Sequence, residues 1–233
     1  MSTAPRGVAL VTGAGTGIGR AVALALADRG HRVLAVGRRS EPLETLAAEA
    51  GAGVISAHAL DVADEGAVSD LLASTPGRLD VVVASAGVFA RGPVADLALD
   101  DWERQVRVNL TGAFLTLQAA VRRMRDQERL DDGRGHVFTL NSGAGVVGFP
   151  TGSAYAASKH GLRGLVESLR GEVAGTGIKL TDLVVSATVE SEMSAGRDVA
   201  TIPPATVAHT VLSCLDLGGA ATWDRVDLGQ LRD

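Results

Sequence analysis

Nearly continuous runs of Val, Ala and Leu recur from residue 8 to residue 228, with helix-period segments between them, and they restrict this chain more than any other feature. A strand wetted on one face alternates apolar and polar residues, whereas a strand covered on both faces need not. The runs at 8–11, 32–36, 54–59, 81–84, 136–140, 179–185 and 225–228 are of the covered kind. Helical spacing predicts helices over 17–29, 42–50, 65–73, 101–127, 153–173 and 205–215. Strands and helices in alternation, joined by short connections, imply right-handed crossovers. The expected fold is therefore α/β, a single doubly wound parallel sheet of about seven strands with helices on both faces. With 46% apolar residues the 233-residue chain can bury a sheet twice over, and at 3% aromatic it must do so with small aliphatic side chains. No linker divides it, so residues 1–233 are expected to form one domain that binds a dinucleotide and carries the chemistry.

Composition removes several classes of function. The net charge is −5 and no basic block occurs, which argues against a nucleic-acid partner. A lone Cys214 cannot build an internal disulfide framework or a cysteine zinc site. No apolar run reaches membrane-spanning length and residues 1–7 lack the core of a signal peptide, so a soluble cytoplasmic protein without a membrane partner is expected. The five histidines suggest no metal site: His31 and His136 introduce strands, His160 lies on the 153–173 helix, and His58 and His209 stand alone. Solvated or capping roles are expected for all of them, and packing roles for Trp102 and Trp223.

After the first strand come Gly13, Gly15, Gly17 and Gly19, with Thr16 and Ile18 between them, before helical spacing resumes at Ala21. Glycines there let the backbone turn tightly and approach a pyrophosphate, and the following helix start offers unpaired N–H groups to it. The second strand ends in Gly37-Arg38-Arg39, with no carboxylate where an NAD site would hold the ribose 2′-hydroxyl. Arg38 instead offers a planar guanidinium suited to a 2′-phosphate, so NADP(H) is favoured over NAD(H). Asp61, after the third strand, suits either an adenine amino group or a cap for the helix that follows.

Tyr155 and Lys159 are four residues apart and share one face of the 153–173 helix. A phenol titrates near ~10, and a nearby ammonium favours its ionised form. Ser142 ends the fifth strand, the edge at which parallel sheets carry their chemistry. Asn109 falls inside a predicted helix, placed to orient Lys159 through a water. Each of these signals is common alone, and their order along one chain is what joins them.

Taken together, the segments Thr12-Gly-Ala-Gly-Thr-Gly-Ile-Gly19, Asp61-Val62, Val108-Asn-Leu-Thr-Gly112, Ser142 and Tyr155 to Lys159 resemble the short-chain dehydrogenase/reductase family over essentially the whole length. The resemblance implies a Rossmann-type fold and a catalytic tetrad of Asn109, Ser142, Tyr155 and Lys159. In it Tyr155 is the acid in reduction and the base in oxidation, and Lys159 holds the nicotinamide ribose and lowers the phenol pKa. Asn109 supports a water-linked proton path. Ala86 and Gly87 border the cofactor, and Val189 and Ser191 belong to the 188–193 segment that contacts the nicotinamide carboxamide. Pairing of the 101–127 and 153–173 helices into a homodimer or homotetramer is also implied. Residues 156, 162, 165, 166 and 169 give the second helix more apolar surface than one buried stripe absorbs.

Two segments depart from the family pattern. Ala84-Ser85-Ala86-Gly87 stands for Asn-Asn-Ala-Gly, and Ser186-Ala187 stands for Pro-Gly. The short stretch 194–204 predicts a small lid and a fairly open pocket, for which Phe89, Val146, Phe149 and Met193 are candidate walls or plain packing residues. The expected activity is hydride transfer between NADP(H) and a small-molecule carbonyl or alcohol. An NADP(H)-binding sensor without turnover is the alternative from another class, and a dehydratase or epimerase that uses bound nicotinamide is a third.

Overall fold

The computed structural model describes residues 7–191, 194, 200–219 and 221–230. Met193, a candidate pocket wall, lies outside them, as does Glu192 of the 188–193 segment. The described strands are β1 (Val8–Thr12), β2 (Arg32–Gly37), β3 (Ile55–Ala59), β4 (Leu79–Ala84), β5 (Gly135–Ser142), β6 (Ile178–Val185) and β7 (Arg225–Leu228). They form one seven-stranded sheet in the order β3-β2-β1-β4-β5-β6-β7, with parallel pairing throughout. The order reverses between β1 and β4, and such a reversal opens a crevice beyond the carboxyl ends of the two strands.

The apolar runs feed two cores, one on each face of the sheet. Successive strand residues point to opposite faces, so Val8 and Leu10 join one cluster while Ala9 and Val11 join the other. The first cluster is closed by α3 (Ala67–Ser74), α5 (Ala113–Arg125) and α6 (Ser153–Val173), the second by α1 (Gly17–Asp28), α2 (Ser40–Ala50) and α7 (Pro204–Leu215). Phe138 is the largest fully buried side chain among the described residues. Truncating such a residue to Ala typically costs about 3–5 kcal/mol, because the cavity left behind adds to the lost transfer energy.

Three expectations need correction. The predicted 101–127 helix is two helices, α4 (Leu99–Val106) and α5, joined by a π-helical turn at Arg107–Gly112. A π-turn inserts one residue without disturbing apolar spacing on either side, so periodicity alone cannot reveal it. At its end Gly112 approaches Val62 so closely that a β-carbon would stand 2.6 Å from Val62 Cγ2. Second, His31 and His136 are buried, not solvated. His136 stacks on Phe138 at 4.0 Å and its Nε2 lies 2.8 Å from Thr181 Oγ1. Third, α6 absorbs its own stripe: Ala156, Leu162 and Val166 are buried, while Leu165 and Leu169 are partly covered by the same core. The tryptophans pack loosely, at 37% exposure for Trp102 and 45% for Trp223. No described helix is long and apolar enough to cross a membrane.

Candidate active site

Two adjoining clefts lie at the carboxyl ends of the strands. The smaller, about 290 Å³, is bordered by Gly13, Gly15, Thr16, Arg38, Arg39, Asp61, Val62, Ala86 and Gly87. The larger, about 790 Å³, shares Gly13, Thr16 and Gly87 with it and adds Gly17, Ile18, Gly19, Ser142, Tyr155, Lys159, Val189 and Ser191. Every expected site residue except Asn109 therefore borders one cleft or the other.

The glycine loop is built for close approach. Gly13 sits at φ +67° with its α-carbon against Ala86, where an added β-carbon would come within 2.8 Å of Ala86 Cα. At Gly19 a β-carbon would lie 2.3 Å from Gly13 O, so only glycine lets α1 start directly behind the turn. A dinucleotide fits this cradle: exposed backbone and the N-terminus of α1 suit the pyrophosphate, and Arg38 and Arg39 flank the end where an adenosine ribose would lie. Arg38 makes no hydrogen bond or ion pair among the described residues. Asp61 accepts from Ala63 N at 3.0 Å and pairs loosely with Arg107 at 3.4 Å, which is a local turn bond of the capping kind.

Both departures from the family pattern are rebonded. Thr12 Oγ1 accepts from Ser85 N and Ala86 N, each at 3.1 Å, and so ties the end of β4 to β1 without an asparagine. With no proline at position 186, Ser186 N donates to Leu228 O at 2.8 Å, and Ala187 N reaches the same oxygen at 3.3 Å. The chain then runs beside Ile202, whose N donates to Thr188 O at 2.8 Å and whose O accepts from Glu190 N at 3.1 Å.

Lys159 is almost completely buried, and its Nζ donates to Leu140 O at 2.6 Å. Burial lowers its pKa to about 8, while the nearby Asp182 carboxylate pulls the other way. Asp182 is itself buried and accepts from Thr139 Oγ1 at 2.6 Å and Asn141 Nδ2 at 3.1 Å. Asn141 Oδ1 in turn accepts from Ser142 N at 2.9 Å. A chain of bonds thus leads from the buried carboxylate to the backbone that carries Ser142. The phenol of Tyr155 behaves contrary to expectation: burial raises its pKa above the ordinary value, and a hydrogen bond with the Ser142 hydroxyl offsets only part of this. The Lys159 ammonium is 5.8 Å from the Tyr155 ring centroid.

Asn109 is fully buried behind the cleft and does not border it. Its Oδ1 accepts from Val88 N at 2.7 Å, and its Nδ2 donates to Val88 O at 2.9 Å and to Ser158 Oγ at 3.0 Å. The side chain has no bond to Lys159. Gln105, which sequence reasoning passed over, is equally buried and accepts from Ala90 N through Oε1 at 3.1 Å. Two amides four residues apart therefore clamp residues 88–90 and aim Phe89 into the cleft, where its ring lies 5.0 Å from Tyr155 and 6.2 Å from Phe149. Phe149 borders the cleft as expected, but Val147 takes the place expected for Val146. A second side-chain amide one helical turn before Asn109 was the available signal for Gln105. For Asp182 the signal was a carboxylate inside the apolar run 179–185.

The family model for short chain dehydrogenases matches residues 7–200. The chain belongs to that family. It is 40% identical over 181 residues to a D-threitol dehydrogenase of Mycolicibacterium smegmatis, covering 76% of this chain and 68% of the relative. An NADP-dependent 3-hydroxy acid dehydrogenase of Salmonella typhi is 32% identical over 194 residues, covering 82% and 76% of the two chains. Among solved structures of the family, the closed form of a serine dehydrogenase complexed with NADP+ superposes with a TM-score of 0.87 at 26% identity, covering 95% of this chain and 94% of the other.

Proposed function

We propose that this short-chain dehydrogenase family member is an NADP(H)-dependent oxidoreductase that interconverts a carbonyl and an alcohol, with Tyr155 as the general acid/base. The observation that carries the reading is the convergence of Ser142, Tyr155 and Lys159 on one cleft that continues into the glycine loop. A bound nicotinamide would supply or receive the hydride. The chain's own residues do the rest. Tyr155 exchanges a proton with the substrate oxygen, Ser142 hydrogen-bonds that oxygen, and Lys159 carries positive charge beneath both. Asn109 acts from behind, through Val88 and Ser158.

Preference for NADP(H) is supported by Arg38 and Arg39 at the ribose end, and by two relatives whose names include NADP. The relatives are themselves named for D-threitol, which is uncharged, for 3-hydroxy acids and for serine, and these names support a small hydroxylated substrate for this chain. A cytoplasmic homodimer or homotetramer built from single-domain chains completes the reading. A silent NADP(H) sensor would rest on the Ala84-Ser85 and Ser186-Ala187 replacements, yet the N–H groups of Ser85, Ala86, Ser186 and Ala187 all keep acceptors.

The deciding experiment is a titration of wild type and Arg38→Ala with NADPH and NADH side by side. Wild type should prefer NADPH, and the substitution should weaken NADPH roughly ten- to a hundredfold, the worth of a charged hydrogen bond, while NADH binding changes little. Equal affinity of wild type for the two cofactors would defeat the NADP(H) assignment, and failure to bind either would defeat the oxidoreductase reading as a whole.

A further inference from the structure

Beyond Tyr155 the large cleft continues past two phenylalanines to Arg91. The Arg91 guanidinium carbon lies 6.0 Å from the centroid of Phe89 and 6.0 Å from that of Phe149. Phe89 is the shared neighbour, since its ring also stands 5.0 Å from Tyr155. Arg91 forms no hydrogen bond or ion pair among the described residues, and those two rings are its only partners. Of the described residues that border this cleft, Arg91 and Lys159 are the charged ones, and none is acidic. Lys159 is buried at the base of the cleft, where it donates to Leu140 O.

The backbone that carries Arg91 is fixed on both sides. Ala90 N is held by Gln105 Oε1 at 3.1 Å, and Gly92 N donates to Thr151 O at 3.0 Å. A guanidinium flanked by aromatic rings gives up little further freedom on binding, and its planar N–H edge still matches the two oxygens of a carboxylate. An arginine whose only task was to cover apolar surface could do so from a mobile loop and beside an acidic partner. One cation matches the single charge of a carboxylate, whereas a phosphate dianion would leave charge unpaired.

We propose that Arg91 binds the carboxylate of an oxo-acid or hydroxy-acid substrate whose reacting carbon faces Tyr155. The inference rests on the oxidoreductase reading and narrows its substrate class to acids. Phe89 and Phe149 form the wall between the charged end and the reacting end.

The test is kcat/KM with NADPH for pyruvate, acetoacetate and levulinate, each against its methyl ester, in wild type, Arg91→Ala and Arg91→Lys. Wild type should favour at least one acid over its ester. Arg91→Ala should lower that acid-to-ester ratio about ten- to a hundredfold, in line with loss of a charged hydrogen bond, chiefly through KM. Arg91→Lys should fall between the two, because it keeps the charge and loses the bidentate geometry. An unchanged ratio in Arg91→Ala, or a wild type that binds cofactor but turns over none of the acids, overturns the assignment of Arg91. A wild type that reduces the esters alone overturns it while leaving the oxidoreductase reading intact. A wild type that binds neither NADPH nor NADH sinks that reading and the Arg91 assignment with it.

Discussion

Burial raises the Tyr155 phenol above its ordinary value, so at neutral pH the side chain is protonated, the form that the proposed carbonyl reduction requires of it. For oxidation the same group must first ionise. The expected pH dependence follows in sign: kcat for alcohol oxidation rises with pH through the alkaline range, and kcat for carbonyl reduction is level near neutrality and falls as the phenol ionises. Tyr155→Phe removes the exchangeable proton and should lower kcat by roughly a hundred- to ten-thousandfold in both directions, with NADPH still bound. A Tyr155→Phe protein that keeps more than a tenth of wild-type turnover would show that another group moves the proton. That Tyr155 and Lys159 share one helix face was legible from their spacing, and both border the large cleft, but the direction of the phenol shift was not legible. It depends on how much solvent the fold removes, and no spacing along a helix reports that. Asp182 illustrates the same limit: a carboxylate in an apolar run declares that partners must exist, while Thr139 and Asn141 become its partners only when β5 and β6 pair in register.

At the scale of elements, β1 through β7 and α6 fall where the apolar runs and helical spacing put them, with ends shifted by up to two residues. These elements are specified locally: one apolar stripe serves each helix and the runs bury β1, β2, β4, β5 and β6 on both faces, whereas the edge strands β3 and β7 are half exposed, contrary to the covered pattern expected of them. The break between α4 and α5 was hidden because a π-turn keeps the apolar spacing on either side of it; the turn carries Asn109, which with Gln105 of α4 clamps residues 88–90. That clamp can be tested by Gln105→Ala. The substitution leaves Ala90 N without its acceptor in a partly buried position, and an orphaned donor costs about 1–3 kcal/mol. Urea unfolding should detect that loss of stability. Because the 88–92 segment carries Phe89 and Arg91, KM for the carbonyl substrate should rise more than kcat falls. Wild-type stability together with an unchanged KM would mean that Ala90 finds another partner and that the loop is held elsewhere.

For the molecule as a whole, the surface left by folding includes Leu99 at 67%, Trp102 at 37% and Phe114 at 41% exposure, all on the α4–α5 arm. Large apolar side chains gathered on one arm are the kind of surface a second copy would cover, and sizing chromatography at micromolar concentration should give a dimer or tetramer; a monomer would contradict the proposed assembly. Global stability should also carry an acid-sensitive contribution from His136. Thr181 Oγ1 donates to Trp223 O at 2.6 Å, so its contact with His136 Nε2 needs the imidazole nitrogen as donor, and the ring is held neutral between β5 and β6. Burial, with the nearby Lys179 charge, lowers the His136 pKa from 6.5 to about 3. An unfolded chain therefore takes up this proton near pH 6.5 while the folded one resists it until about pH 3. The stabilisation is complete above pH 6.5 and declines as pH falls through that window, at about 1.4 kcal/mol per pH unit. His136→Gln keeps an amide donor for Thr181 but cannot titrate. It should be less stable than wild type at pH 7.5, where it loses the stack on Phe138, and its unfolding free energy should fall less steeply between pH 6 and pH 4. If the two proteins lose stability in parallel over that range, the acid sensitivity belongs to the carboxylates and the buried imidazole contributes none of it.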